Sequence, residues 1–481
     1  MKSHSRFNEN LIYIKSIVVL IFVFTFFLQT SCKKLVEIPP PKNSITTAKV
    51  FADSADATSA IEGIYTSLNA SYLYIYFGNG EISINVGSSS DELLPFLSSG
   101  DHLSTNTLTA SNASVTSDLW IYPYQYLYQI NASIEGLQSS QGISPTTKSE
   151  LIGEAKFLRS FCYFYLVNLF GDVPLITTSD YRSNAIAART PKDLVYNAII
   201  SDLKDAKNSL PDNFSAGGGE RIRANKGAAT ALLARVYLYQ KQWANAEKEA
   251  SEIINNTSTY RLDSLNGVFL ANSGEAILQW KTNPLNSANV VPEGYALIPY
   301  DNTTNPYYYI TDELLNAFEP GDQRKIKWTG NTTYAGQVYY YPFKYNTGAA
   351  QISSSLSPSQ YYMVLREAEQ YLIRSEARTQ QNANLGGAIS DLNIIRNRAG
   401  LQNLPSTLNQ AQVLAAIMQE RRIEFFAEWG NRWLDLKRTG QARAVLSVIP
   451  YKSAWQDFQQ LYPIPLSEIL LDPNLKQNPG Y

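Results

Sequence analysis

Glu420, Glu424 and Glu428 recur every four residues and so can share one face of a helix. Paired carboxylates are the working parts of glycoside hydrolases, where one must have a raised pKa to act as a general acid. Arg421, Arg422 and Arg432 stand close by, and neighbouring guanidinium groups keep carboxylates ionised. The pattern therefore predicts structural ion pairs and no hydrolysis. Metal and nucleophile chemistry lack raw material. Of two histidines, His4 falls in an apolar leader, which leaves His102 alone. A zinc site or a Ser-His-Asp relay needs more than one imidazole, so no metal and no cofactor is expected. Gly217-Gly218-Gly219 lacks the lysine and preceding strand of a phosphate loop and reads as a linker.

A second chemistry needs no titratable group. Sugars offer C–H faces that pack on flat rings and hydroxyls that reach amides and carboxylates. Ten of the 32 tyrosines fall within 290–345, together with Trp328. Tyr307, Tyr308, Tyr309, Trp328, Tyr334 and Tyr339 to Tyr341 stand among Asp301, Asn302, Asn305 and Asn331. Trp328, flanked by Lys327, Thr329, Gly330 and Asn331, reads as an exposed ring. The 71–117 segment adds Asp91, Glu92, Asp101 and His102 from the opposite side. The candidate ligand contacts are thus Trp328, Tyr307, Tyr308, Tyr309, Tyr334, Asp91, Asp101 and His102. The alternative is a buried strand face at Tyr339 to Tyr341 and an ordinary surface histidine at 102.

Residues 225–254 carry the clearest architectural signal. Ala228, Leu232, Ala234 and Tyr237, then Trp243, Ala246, Ala250 and Ile253, fall at helical spacing on either side of Gln240-Lys241-Gln242. That is a helical hairpin with a tetratricopeptide-like signature, and one such unit cannot bury its face alone. Further hairpins are expected at 154–210, 363–398 and 410–438, with a helix from Met363 to Gln381. Two more helices are expected at Phe51 to Asn69, capped by Asp53, and at Asp118 to Gln138. Glu275 to Trp280 reads as a strand. The 71–117 and 260–345 segments lose any sustained period and read as long irregular excursions, which in compact proteins tend to be functional. The fold class is mainly α: tetratricopeptide-like hairpins with long loop excursions.

The N-terminus reads as an export signal. Lys2, Arg6 and Lys15 precede the apolar run Ile17 to Leu28, too short to span a bilayer, and then Cys32. The only other cysteine, Cys162, sits in an apolar helical run, so a disulfide is not expected and Cys32 is the candidate lipidation site. The expected organisation is a signal peptide at 1–31, a tether at 32–47 containing Pro39-Pro40-Pro41, and one domain at 48–481, with an N-terminal part to about 270 and a C-terminal part from about 271. Formal charge is −2, which excludes a nucleic-acid binder on electrostatic grounds.

Several motifs together resemble the SusD/RagB family of outer-membrane nutrient-binding lipoproteins. Phe157-Leu158-Arg159 through Leu169-Phe170-Gly171-Asp172-Val173-Pro174-Leu175 is similar to its helix-to-loop motif. Glu420-Arg421-Arg422, Glu424-Phe425, Glu428, Gly430, Arg432-Trp433, Asp435 and Arg438 are similar to its penultimate motif. Tyr462-Pro463-Ile464-Pro465, Glu468, Pro473-Asn474-Leu475 and Gln477-Asn478-Pro479-Gly480-Tyr481 close the chain as that family closes. The resemblance implies a SusD-like scaffold of four hairpins, lipid-anchored at the outer membrane on the cell surface. It implies a partner, a SusC-like TonB-dependent transporter, and an oligosaccharide or peptide ligand held by the loops. Lys33-Lys34 stand where surface-exported members often carry acidic residues. The competing function is a helical-repeat scaffold, or a peptide-capture subunit, without glycan binding.

Overall fold

The computed structural model describes residues 47–69, 76–97, 101–111, 117–282, 290–353 and 358–481. Cys32, the leader and almost all of the tether lie outside them. The first long helix is α1, Ser54–Leu68, where the Asp53 carboxylate accepts from the Ala55 and Asp56 amides. Ala57, Ile61, Ile64 and Leu68 are its buried side, as their spacing predicts.

Next come α2 (Asp118–Ser139), α3 (Pro145–Phe170), α4 (Lys192–Ser209), α5 (Lys226–Tyr239) and α6 (Trp243–Asn255). After the second excursion follow α7 (Glu367–Gln381), α8 (Leu385–Arg398), α9 (Gln410–Glu424) and α10 (Asn431–Arg438). From α2 to α10 each helix packs on the next. The α6–α7 contact therefore closes over the whole intervening excursion, and residues Val50–Tyr481 pack as one compact unit. The four expected hairpins are α3/α4, α5/α6, α7/α8 and α9/α10. Helix α5 is buried on every side from Gly227 to Tyr239, whereas α6 buries only a stripe of Ala246, Glu249, Ala250, Ile253 and Ile254. Small residues set that closeness: a Cβ on Gly227 would lie 2.0 Å from the Tyr260 hydroxyl.

Six short strands form three antiparallel pairs among the described residues. They are β1 (Leu93–Pro95) with β3 (Tyr308–Ile310), β2 (Ala276–Trp280) with β6 (Tyr362–Arg366), and β4 (Thr329–Tyr334) with β5 (Gln337–Pro342). Two sequence expectations are corrected here. Helix does not begin at Met363, because Tyr362–Arg366 is buried on both faces as strand β6 and the helix starts at Glu367. A run of four apolar residues, Tyr362 to Leu365, closed by Arg366, is too short to carry a period that separates strand from helix. Within 71–117, Phe77–Val86 is helical and almost wholly buried, with Phe77, Ile82, Ile84 and Val86 in the core. Non-helical dihedrals at Asn79 and Gly80 break its period, which is why the sequence reads as loop.

The ends of the two family-like motifs meet. Gly171, at φ +77°, stops α3, and the Asn478 side-chain amide donates to the carbonyls of Phe170 (2.9 Å) and Tyr462 (2.8 Å). Arg189 donates to the Asn478 side-chain oxygen and to the Asp172 carbonyl. Residues 169–175 and the chain's final residues are thus one piece of structure.

Candidate functional site

The aromatic residues of the second excursion gather around two strand pairs. Strand β1 lies beside β3 with Leu94 opposite Tyr309 and Pro95 opposite Tyr308, and the Phe96 amide extends the ladder by donating to the Tyr307 carbonyl at 2.9 Å. Hairpin β4/β5 turns at Ala335 (φ +50°) and Gly336 (φ +82°), the doubly left-handed turn that suits two-residue hairpins. Phe96 meets Tyr334 and Tyr339 edge to face, at centroid distances of 5.5 and 5.4 Å, and Tyr339 meets Tyr309 at 5.3 Å. These edge-to-face contacts fix the rings against one another. Tyr334 remains 39% exposed and Tyr307 67% exposed, so both present ring surface to solvent.

Polar groups frame this face. The Thr333 amide donates to the Asn302 carbonyl and the Thr332 hydroxyl to the Thr304 carbonyl, which fastens the 300–306 loop to the hairpin. Asp301 accepts from Thr303 and Thr304, which lowers its pKa. On the other side, Asp101 caps the amides of Leu103 and Ser104, and His102 Nδ1 lies 3.1 Å from the Thr107 hydroxyl. Tyr308 faces that loop: burial raises its hydroxyl pKa, and the Asp101 charge adds to the effect. The loop is fixed from below by the buried Lys452, whose ammonium donates to the Ser88, Ser89 and Ser104 carbonyls and to Asn106. The structure thus brings Tyr307, Tyr308, Tyr309 and Tyr334 into one neighbourhood, with Asp101 and His102 along one edge.

Trp328 and Asp91 are corrections. Trp328 is 1% exposed; its indole nitrogen donates to the Leu265 carbonyl at 2.9 Å and its ring meets Phe269. Polar neighbours in sequence suggested exposure, but the ring points away from them into the core. Asp91 is buried in ion pairs with Arg422 and Arg432, each at 2.7 Å. Burial alone would raise its pKa, but Arg432 and Arg422 hold it below the usual range. Neither residue can reach a ligand. Phe96, not among the candidates, sits at the centre of the ring cluster. Its signal was the short apolar run Leu93 to Leu97 inside an otherwise polar stretch.

Residues 288–481 match a family model described as "SusD family", and residues 47–238 match a second described as "Starch-binding associating with outer membrane". The SusD-like protein P2 of Formosa agariphila is 26% identical, over 96% of this chain and 99% of its own length. The starch-binding protein SusD of Bacteroides thetaiotaomicron is 24% identical over 75% of this chain and 78% of its own. The chain belongs to the SusD/RagB family. Its fold is that of solved SusD-like structures. A laminarin-binding SusD-like protein superposes with a TM-score of 0.74 at 24% identity, covering 89% of this chain and all of that one. Surface glycan-binding protein A of B. thetaiotaomicron gives 0.75 at 22% identity, over 90% and 100%.

The penultimate motif of this SusD/RagB chain is buried scaffold. Glu424 pairs with Arg324, Arg366 and Arg398; Glu420 pairs with Arg324; Glu428 pairs with Arg366 and Lys344. The arginines nearest in sequence are used elsewhere, Arg421 on Asp435 and Arg422 and Arg432 on Asp91. Burial alone would raise the Glu424 carboxyl, but Arg398, Arg366 and Arg324 hold it well below the usual range. Glu420 departs from the expectation: burial raises its pKa against the opposing effect of Arg324. It is nonetheless enclosed, with both oxygens bonded to arginines. A carboxylate set enclosed in the interior, with a guanidinium on each member, is suited to holding the second excursion, through Arg324 and Lys344, on α9 and the turn after it.

Proposed function

We propose that this protein is a non-catalytic, lipid-anchored outer-membrane subunit that captures an oligosaccharide for a TonB-dependent transporter. The observation that carries the reading is the ring face itself. Phe96, Tyr309, Tyr334 and Tyr339 brace one another while Tyr307 and Tyr334 stay open to solvent. Braced rings lose little freedom on binding, so their faces are ready to pack on the C–H faces of a sugar. The names of relatives point the same way, since they include a starch-binding protein and a laminarin-binding one. The ligand contacts we assign are Tyr307, Tyr309 and Tyr334, with Tyr308, Asp101 and His102 at the margin.

The membrane part of the proposal rests on the leader and Cys32, with 32–47 as tether and 48–481 as one domain. No helix among the described residues is long and apolar enough to cross a membrane. The transporter would dock on the hairpins. A cleft of about 670 Å³ opens there between Tyr239, Trp243, Glu376, Met418 and Leu436.

The test is calorimetric titration of the purified protein with laminarin and with soluble starch, alongside Tyr307→Ala and Tyr334→Ala. Binding weakened roughly fivefold by each variant supports the reading. A protein that ignores both polysaccharides but is pulled down with the transporter favours the scaffold reading instead.

A further inference from the structure

A second ring-lined groove lies away from the strand pairs. Its floor is the N-terminal half of α2; one wall is the 174–187 segment and the other is α11, Leu466–Leu471. Two hollows of about 550 and 530 Å³ adjoin here and share Tyr124, Tyr128 and Glu468, so they form one continuous trough. Tyr128 is 54% exposed on the ridge between them, and Tyr181 is 74% exposed along the wall of the larger hollow. Two exposed rings that line one concave trough form an apolar patch of the kind that marks a binding site.

The walls are fixed before any ligand arrives. Tyr124 donates to the Pro174 carbonyl at 2.9 Å and Asn131 to the Ile176 carbonyl at 3.1 Å, tying the 174–187 segment to α2. Asn474 donates to the Ile186 carbonyl at 2.9 Å, tying the same segment to the chain's end. The polar groups along the trough are the Gln125, Gln129 and Asn184 amides and the Glu468 and Asp472 carboxylates. No lysine, arginine or histidine is among the described lining residues. Arg189, which acts on Tyr124, is committed to backbone carbonyls and Asn478. Rings flanked by amides suit a sugar chain, and carboxylates without a basic partner repel an acidic one.

We propose that this trough is a second carbohydrate site, taking a neutral oligosaccharide across the ring of Tyr128 and against Tyr181. The inference rests on the reading of the protein as a glycan-capture subunit and adds to it a separate point of attachment. Two attachment points on one polymer raise its retention without any new contact at either.

The experiment compares three forms of the full chain, each checked by thermal melting: Tyr307→Ala/Tyr334→Ala, Tyr128→Ala/Tyr181→Ala, and all four together. The probes are laminarin and soluble starch as neutral polymers and polygalacturonate as an acidic one. We expect each double variant to bind a neutral polymer about tenfold to thirtyfold more weakly, the variant with all four changes to show no binding, and polygalacturonate not to compete. If Tyr307→Ala/Tyr334→Ala abolishes binding while Tyr128→Ala/Tyr181→Ala has no effect, the second site is overturned and the proposed function survives. The reverse result leaves the trough as the sole site and overturns the assignment of the strand-pair face. Failure of the intact protein to bind either neutral polymer overturns both.

Discussion

The Lys344 ammonium lies 4.8 Å from the centre of the Trp328 ring and donates to Glu428. Trp328 thus covers the buried ion network, with Arg366 and Arg398 also against its ring. Removing the indole would open a cavity in the core beside the buried ion network and forfeit the ring's packing. Trp328→Ala should cost about 3–5 kcal/mol and lower the melting temperature markedly. A variant that melts as the unaltered protein does would remove Trp328 from the core.

The ring face makes the opposite prediction. Tyr307→Ala removes an exposed ring, so folding stability should change by less than about 0.5 kcal/mol, whereas Tyr334→Ala also loses the edge-to-face contact with Phe96 and should cost about 0.5–1.5 kcal/mol. Each should weaken polysaccharide binding by about 1 kcal/mol, roughly fivefold, read by titration calorimetry. Unchanged affinity in both variants places the ligand elsewhere.

Glu424 is bonded to three arginines in the interior. Glu424→Gln removes one shared counter-charge from three buried guanidinium groups, which keep Asp322, Glu420, Glu275 and Glu428, and should cost about 3–5 kcal/mol in denaturant unfolding. No polysaccharide should be cleaved by the unaltered protein. Reducing-sugar release that disappears with Glu424→Gln would restore the catalytic reading of these glutamates.

Burial pushes the Glu293 carboxyl up to about 8; Ser83 and Tyr362 oppose that rise, and Tyr362 donates to it at 2.8 Å. Glu92 and Glu367 are likewise raised to about 8, chiefly by burial. Because the folded pKa exceeds the unfolded one of about 4.3, stability is fully present below pH 4.3 and is lost as pH rises through the folded pKa. Between those limits each group contributes a slope of up to about 1.4 kcal/mol per pH unit. Glu293→Gln should therefore flatten the decline in stability between about pH 5 and 8 by one proton's worth. An unaltered slope would mean that Glu293 is ionised in the fold.

Cys32→Ala should move the protein from the membrane fraction to the soluble one on fractionation, since a single residue carrying more than one acyl chain anchors stably. Retention in the membrane fraction after correct signal cleavage would overturn the lipid anchor.

Sequence alone determined the helical scaffold, because burial of a helix face is a local, periodic demand that residues such as Ala228, Leu232, Ala246 and Ala250 must satisfy at fixed spacing. It also determined the capping of α1 by Asp53 and the family, whose motif residues such as Gly171 and Asn478 answer backbone geometry. Tertiary structure decided which polar and aromatic side chains face out. Trp328 and Tyr334 stand six residues apart among similar neighbours, yet one lies under Lys344 and the other opens to solvent. The ion pairs of Glu424 reach Arg324, Arg366 and Arg398, not Arg421 or Arg422 beside it. Such pairings and exposures depend on contacts between segments distant in the chain, and no local period encodes them.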